Sequence, residues 1–333
     1  MSTPRPHRSD RHRSRPGARR WALIAGLAGA LGLAGTAAAG DPAGRDLSRT
    51  LTLGGLERSY LVHVPAQALT RDRARPAPVV IALHSGGGRA RAFAGFTGFS
   101  TLADAEGFIV VYPEGVEGNW NDGRSRVGNR ALVDDIDDVG FILAIAQALA
   151  KDFTVDPKRL YVVGMSNGGM MALRAACDAA DKIAAVAAVA AALPVRMKPR
   201  CNPSAPISVL IMNGSEDPVM PWRGGEIRMG LDRLGRVISA EDTATLWAEH
   251  NGCVTTPAVE DLPNKDPGDN SVVRRAVYPQ CRGAEVVLYT VDRGGHTWPG
   301  GDQYLPQAVV GRVNRDIDAS AVIWDFFKRQ ARE

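Results

Sequence analysis

The chain has 333 residues, 45% of them hydrophobic, and a formal net charge of +4. It is long and apolar enough for one large buried core, which excludes a chain disordered throughout. The positive charge is local: residues 1–39 hold seven Arg and one Asp, leaving 33 basic and 35 acidic side chains beyond them. With no basic stripe and interleaved aromatics in that remainder, a nucleic-acid partner is excluded.

An Arg-rich start, from Arg5 to the pair Arg19-Arg20, runs into an apolar stretch from Trp21 to Gly35 and ends in Ala37-Ala38-Ala39. This reads as a secretory signal over 1–39, with a single folded domain over 40–333 and a secreted or periplasmic product. The apolar run is short and rich in Gly and Ala, so no stable membrane anchor is expected once the leader is cleaved.

Leu51 to Val64 alternates around Gly54-Gly55 and predicts an antiparallel hairpin. Pro78 to Leu83 and Phe108 to Tyr112 are continuous apolar runs, the pattern of strands covered on both faces. Val139 to Leu149 has helical spacing behind Asp134, Asp135, Asp137 and Asp138, a cluster expected to meet the positive end of a helix dipole. Its spacing is not that of a calcium loop. Further strands are predicted at 160–163, 183–190, 207–212 and 286–291, and helices at 240–250 and 317–327. Such alternation implies an α/β fold, a mostly parallel central sheet with helices on both faces. Pro263 to Asn270 reads as an exposed loop.

Four cysteines, Cys177, Cys201, Cys253 and Cys281, all follow the leader, and none forms a C-x-x-C pair. In an exported chain this favours two disulfides over a metal site. Three pairings are possible; Cys177–Cys201 with Cys253–Cys281 closes the more modest loops.

The predicted strand Leu160 to Val163 breaks into a helix pattern through Gly164-Met165-Ser166-Asn167-Gly168. A serine hydroxyl is a weak nucleophile, and a sharp strand-to-helix turn presents it to a base and to substrate. Glycines on either side give room for strand and helix to pass closely. Of the four histidines beyond the leader, His63 falls inside the hairpin and His250 at a helix end, both structural positions. His296 lies in Gly294-Gly295-His296-Thr297-Trp298, a loop directly after a strand, where open α/β sheets place their chemistry. Asp217, in Gly214-Ser215-Glu216-Asp217-Pro218, supplies the orienting carboxylate, with Glu216 as its rival. The order Ser, Asp, His is that of α/β-hydrolases. An oxyanion needs preset donors. Asn167 offers one backbone N–H, and Gly86, or else Ser85, in His84-Ser85-Gly86-Gly87-Gly88 offers the other. His84 is expected to fix that loop rather than act as a base.

The segments Leu83 to Gly88, Gly164 to Met171, Ser239 to Thr243 with Trp247 to Cys253, and Gly294 to Gly301 resemble the secreted polyhydroxybutyrate depolymerase and feruloyl esterase group, of carbohydrate esterase family 1 type, within the α/β-hydrolases. The resemblance spans nearly all of the chain after the leader. It implies a Ser166, Asp217, His296 triad and supports the same disulfide pairing. Many members carry His-Gly-Cys or His-Gly-Gly where this chain has His84-Ser85-Gly86, so the choice between Gly86 and Ser85 stays open. The implied substrate is an ester, either a short hydroxyalkanoate oligomer, the first expectation, or a hydroxycinnamate or acetyl ester of plant cell walls, the alternative. A non-catalytic binding module on the same fold is the remaining reading. No metal or organic cofactor is implied. Trp120, Trp222 and Trp298 fall in loops near these motifs and are expected to wall the substrate site.

Overall fold

A computed structural model of the chain describes residues 44–69, 75–124 and 128–332. The predicted leader lies outside the described residues. The strands are β1 (Arg45–Leu53), β2 (Leu56–Val64), β3 (Ala77–Leu83), β4 (Ile109–Pro113), β5 (Val155–Met165), β6 (Ala185–Val189), β7 (Ser208–Gly214), β8 (Gly225–Met229), β9 (Asp232–Val237), β10 (Ala258–Asp261), β11 (Val272–Tyr278) and β12 (Val286–Asp292). The helices are α1 (Ala66–Leu69), α2 (Ala90–Thr97), α3 (Phe99–Glu106), α4 (Arg130–Val133), α5 (Asp138–Asp152), α6 (Asn167–Asp178), α7 (Ala240–His250), α8 (Gln307–Val310) and α9 (Ala319–Phe327).

Ten strands form one twisted sheet in the order β1-β2-β4-β3-β5-β6-β7-β12-β11-β10. From β4 to β12 every pairing is parallel, and the two flanking hairpins are antiparallel. This is the α/β-hydrolase architecture. Strands β3, β4, β6 and β7 are buried along their whole length, which is why apolar residues dominate their sequences, with Ser208 and Asn213 of β7 the polar exceptions. Two hydrophobic layers cover the two faces. One gathers around Phe141, Ile145, Met170, Leu173 and Trp247 from α5, α6 and α7. The other gathers around Phe93, Phe99, Trp298 and Trp324 from α2, α3, the loop after β12, and α9.

The opening hairpin is longer than the alternation predicts, since β1 begins at Arg45. It turns through Gly54 and Gly55, both at positive φ, the geometry that lets two residues connect twisted strands. Both disulfides have the favoured pairing: Cys177–Cys201 ties the end of α6 to the loop before β7, and Cys253–Cys281 ties the end of α7 to the β11–β12 connection.

The acidic cluster does more than the dipole argument foresees. Asp137 caps α5 by accepting from Gly140 N–H at 2.8 Å, as expected. Asp138 is instead fully buried, paired with the Arg58 guanidinium at 2.8 Å, and accepts from Asn121 N–H at 2.7 Å. Burial pushes its carboxyl above the ordinary range, and the Arg58 charge pulls it back down. Arg58 itself lies over the Phe141 ring, 4.1 Å from its centroid.

Candidate active site

Parallel strands deliver their following loops to one edge of the sheet. The loop after β3 carries residues 84–88, the turn after β5 carries Ser166, the loop after β7 carries Asp217, and the loop after β12 carries His296. In register, Leu83 at the end of β3 and Ala188 of β6 flank Gly164 of β5, so the first of these loops ends beside the serine turn.

Ser166 has φ 57° and ψ −118°, a region that costs a non-glycine residue about 1–3 kcal/mol. The surroundings hold it there. Its N–H donates to Val189 O at 2.9 Å, and its carbonyl already accepts from Met170 N–H at 2.8 Å as the first bond of α6. The turn closes because there is no room for side chains beside it. A methyl group on Gly164 would lie 2.3 Å from the Gly168 carbonyl carbon, and one on Gly168 would lie 2.2 Å from Leu83 O. Ser166 is half-buried while the rest of the turn is buried.

His296 is 2% exposed, and its Nδ1–H donates to Asp217 Oδ2 at 2.8 Å. Asp217 Oδ1 accepts the backbone N–H groups of Val219 and Met220 at 2.7 and 2.8 Å. The carboxylate is therefore fixed on both oxygens before it meets the ring. The rival Glu216 takes no part in this arrangement. His296 N–H donates to Val310 O, and Tyr304 donates its hydroxyl to His296 O at 2.8 Å. Burial raises the Tyr304 phenol above its ordinary range, which keeps it a donor. Hydrogen bonding within the described residues thus joins Asp217 to His296 and leaves Nε2 of the ring and Oγ of Ser166 without partners.

The glycine-rich loop is locked at its base. His84 is buried; its Nδ1–H donates to Ser85 O at 2.8 Å and its Nε2 accepts from Gly115 N–H at 3.0 Å. Burial pushes its pKa below the usual imidazole value, so it stays neutral in the one tautomer these bonds permit. The structural role expected of His84 is what the geometry shows. Gly87 N–H is taken by Gly118 O and Gly88 N–H by Ser85 O. Those bonds leave Ser85 and Gly86 as the amides of the loop not so engaged. Gly86 abuts the serine turn, since a methyl group on it would lie 3.6 Å from Asn167 Cβ.

A buried polar network beneath the turn has only a faint sequence signal, the cluster Asn119-Trp120-Asn121-Asp122. Asn167 Oδ1 accepts from Trp120 N–H at 2.8 Å, while its Nδ2 donates to Trp120 O at 3.1 Å and to Asp122 Oδ2 at 2.5 Å. Asp122, fully buried, also pairs with Arg124 at 2.8 Å.

The tryptophan expectation needs correction. Trp120 is fully buried with Nε1–H donating to His84 O at 2.8 Å, so it braces the glycine-rich loop from behind. Trp298 is 1% exposed, donates to Ser320 Oγ at 3.1 Å, and packs edge-on against Phe93 and Phe99. Neither can wall a substrate. Trp222 is half-buried and lines a different cavity, described below. The groove that borders the serine turn holds about 230 Å³ and is lined by His84, Ser85, Phe93, Phe96, Met165 and Tyr304, among others. Phe96 and Tyr304 meet edge to face with centroids 5.6 Å apart. The pair Phe93 and Phe96, three residues apart on α2 just after the glycine-rich loop, is the sequence signal that marks this wall.

Comparison with known proteins finds relatives among esterases. Residues 96–222 match the family described as the prolyl oligopeptidase family. A protein named "Putative esterase NocK" from Nocardia uniformis subsp. tsuyamanensis is 33% identical over 285 residues, covering 84% of this chain and 81% of that one. Feruloyl esterase B of Piromyces equi is 30% identical over 246 residues; the match covers 72% of this chain and 42% of that longer protein. The solved structure of an acetyl xylan esterase from Aspergillus awamori superposes with a TM-score of 0.53 at 16% identity, over 75% of this chain and 94% of that one, a likeness of fold.

Proposed function

This chain belongs to the α/β-hydrolase esterases and is a carboxylic ester hydrolase, and from that premise we propose that Ser166 is its nucleophile, His296 its base and Asp217 the orienting acid. The observation that carries the assignment is the strained Ser166 turn at the same sheet edge as the buried Asp217–His296 pair. Asp217 fixes the ring with Nδ1 protonated, so Nε2 is the basic nitrogen available to a hydroxyl. The base takes the Ser166 proton as Oγ bonds the acyl carbon, and it returns that proton to the leaving alcohol. Water, deprotonated by the same nitrogen, then cleaves the acyl-enzyme and frees Ser166. The amides of Asn167 and Gly86 stabilise the oxyanion in both halves, with Ser85 as the second choice for Gly86.

The finer reading is an esterase for hydroxycinnamoyl or acetyl esters of plant cell-wall polysaccharides. The groove of Phe93, Phe96, Met165 and Tyr304 suits a planar aromatic acyl group. The relatives above carry feruloyl and acetyl xylan esterase names, which supports this reading over a hydroxyalkanoate oligomer, the first expectation from sequence. Export through the 1–39 leader would bring the enzyme to such substrates, and it belongs to the proposal. The test is a Ser166→Ala variant assayed on 4-nitrophenyl acetate and methyl ferulate. Loss of about 10⁵-fold or more in kcat with an unchanged circular dichroism spectrum is expected, and parent-like turnover would refute the assignment.

A further inference from the structure

A second and larger cavity, about 670 Å³, opens at the same end of the sheet beside the acid loop. Ser215 after β7, Asp292 at the end of β12, Arg274 of β11, Glu241 at the start of α7, and Trp222 with Arg223 contribute to its lining. Trp222, Ser215 and Asp292 are half-buried and form its floor; Arg223, Glu241 and Arg274 are exposed at its rim. The floor is ordered from beneath. Ser215 Oγ donates to Asp292 at 2.9 Å, and Trp222 O accepts from Ala240 N–H at 3.0 Å. The rim side chains are uncommitted, for Arg223, Glu241 and Arg274 make no side-chain hydrogen bond or ion pair among the described residues.

The chemistry of this lining defines its ligand. One aromatic ring beside planar guanidinium and carboxylate groups matches a sugar, which has an apolar C–H face and vicinal hydroxyls around its edge. Cationic and anionic groups are both present, which suits a neutral chain better than a polyanion. Its position also fits. Three to four strand spacings separate β5 from β12 and β11, about 14 to 19 Å at the usual interval between strands, a span that a few glycosyl units cover. We infer that this cavity is a glycan subsite, holding the sugar chain whose acylated hydroxyl is presented to Ser166. The inference rests on the ester-hydrolase reading above and assigns the sugar chain of its substrate to named residues outside the serine groove.

Two measurements test it. The first compares kcat/KM for methyl ferulate and for feruloylated xylo-oligosaccharides of one to four units, in the parent, Trp222→Ala and Arg274→Ala. The parent should gain about tenfold with glycan length, and both variants should lose most of that gain. A flat parent series, or a gain that survives both substitutions, overturns the subsite while leaving the esterase intact. The second is calorimetric titration of the Ser166→Ala protein with deacylated xylotetraose, which reports binding without turnover. Heat of binding that disappears in Arg274→Ala, whose exposed side chain is removable without disturbing the core, supports the subsite. Absence of binding in Ser166→Ala overturns it. Failure of the parent to hydrolyse methyl ferulate or any acetyl ester would instead strike the esterase reading.

Discussion

Asp217 meets His296 with a carboxylate that is already anchored: Oδ2 accepts from Nδ1–H at 2.8 Å while Oδ1 holds two backbone N–H groups, those of Val219 and Met220. The two backbone bonds stop the carboxylate from rotating, so its second oxygen can only select the Nδ1–H tautomer and leave Nε2 basic. Asp217→Asn keeps an oxygen for the backbone pair and turns an amide donor toward the ring. Nδ1 must then accept, and the proton moves to Nε2. The expected result is a fall in kcat of about 10³- to 10⁴-fold, with KM within a few-fold and the melting temperature little changed. Steady-state kinetics decide it, and a loss under tenfold would place the orienting acid elsewhere.

Beneath the serine turn, the Asn167 side chain does what no aliphatic one could, satisfying both the N–H and the carbonyl of Trp120 and reaching Asp122. Asn167→Ala leaves the Trp120 N–H and carbonyl unpaired, at about 1–3 kcal/mol for each group left unsatisfied, while Asp122 keeps Arg124. Asn167→Asp is the sharper change, because it sets a second carboxylate against that of Asp122. Urea denaturation should rank the parent above Asn167→Ala, and Asn167→Ala above Asn167→Asp. An Asn167→Asp protein as stable as the parent would mean that the network is not closed as described.

His84 sets an acid limit on stability. Its pKa is lowered by burial in the folded state, so above the ordinary imidazole value both states are neutral and no stability depends on it. As pH falls below about 6.5 the unfolded chain takes up a proton that the folded chain refuses, and stability drops by at most about 1.4 kcal/mol per pH unit. Chemical denaturation between pH 7 and pH 5 should therefore show a shallower slope in His84→Gln than in the parent, although the variant is less stable overall. Equal slopes would sink the idea.

The residues that could be identified from the chain alone share one physical trait. Strands such as 78–83 and 207–212 announce themselves because burial on both faces leaves them almost wholly apolar, with the hydrogen-bonded Ser208 as the exception, and the serine turn does so because its close contacts admit only glycine at 164 and 168. The ribbon of β8 and β9 and the edge strand β10 gave no such signal. Their residues are largely exposed, and Asp232 to Val237 or Ala258 to Asp261 would suit a loop equally well. The tryptophans misled for a different reason. Neighbourhood in sequence fixes where a residue's Cα lies and not which way its ring faces, and Trp120 and Trp298 point into the protein to brace the two loops that frame the site. The ion pair of Arg58 and Asp138 joins positions 80 residues apart, a relation that no local pattern carries.

The two disulfides close loops of similar size, with sequence separations of 24 and 28. Loop-closure entropy assigns each about 3 to 4 kcal/mol. Their removal should differ in its effect on activity. Both bonds lie away from the serine turn, but Cys177–Cys201 fastens the end of the helix that begins there, whereas Cys253–Cys281 fastens α7 to the β11–β12 connection. Paired Cys→Ala variants should both lower the melting temperature. Only the 177/201 variant should lose substantial kcat at 25 °C, and the reverse order would contradict the rigid-helix argument.

The last prediction concerns the groove. Phe96 and Tyr304 both line it, and the Trp298 ring packs against Phe96, 6.5 Å away centroid to centroid. On the proposed reading a hydroxycinnamoyl group lies along this wall, whereas an acetyl group has no ring to set against it. Phe96→Ala should therefore cut kcat/KM for methyl ferulate by about tenfold or more and leave 4-nitrophenyl acetate far less affected, since a lost aromatic contact with its buried area is worth about 1–3 kcal/mol. Tyr304→Phe separates two roles of that residue. It keeps the ring in the groove and removes only the bond to His296 O, so both substrates should lose kcat by the same few-fold factor, as about 1 kcal/mol of loop anchoring is withdrawn. Equal losses for the two esters in Phe96→Ala would show that the acyl group lies elsewhere, and the hydroxycinnamate reading would fall with it.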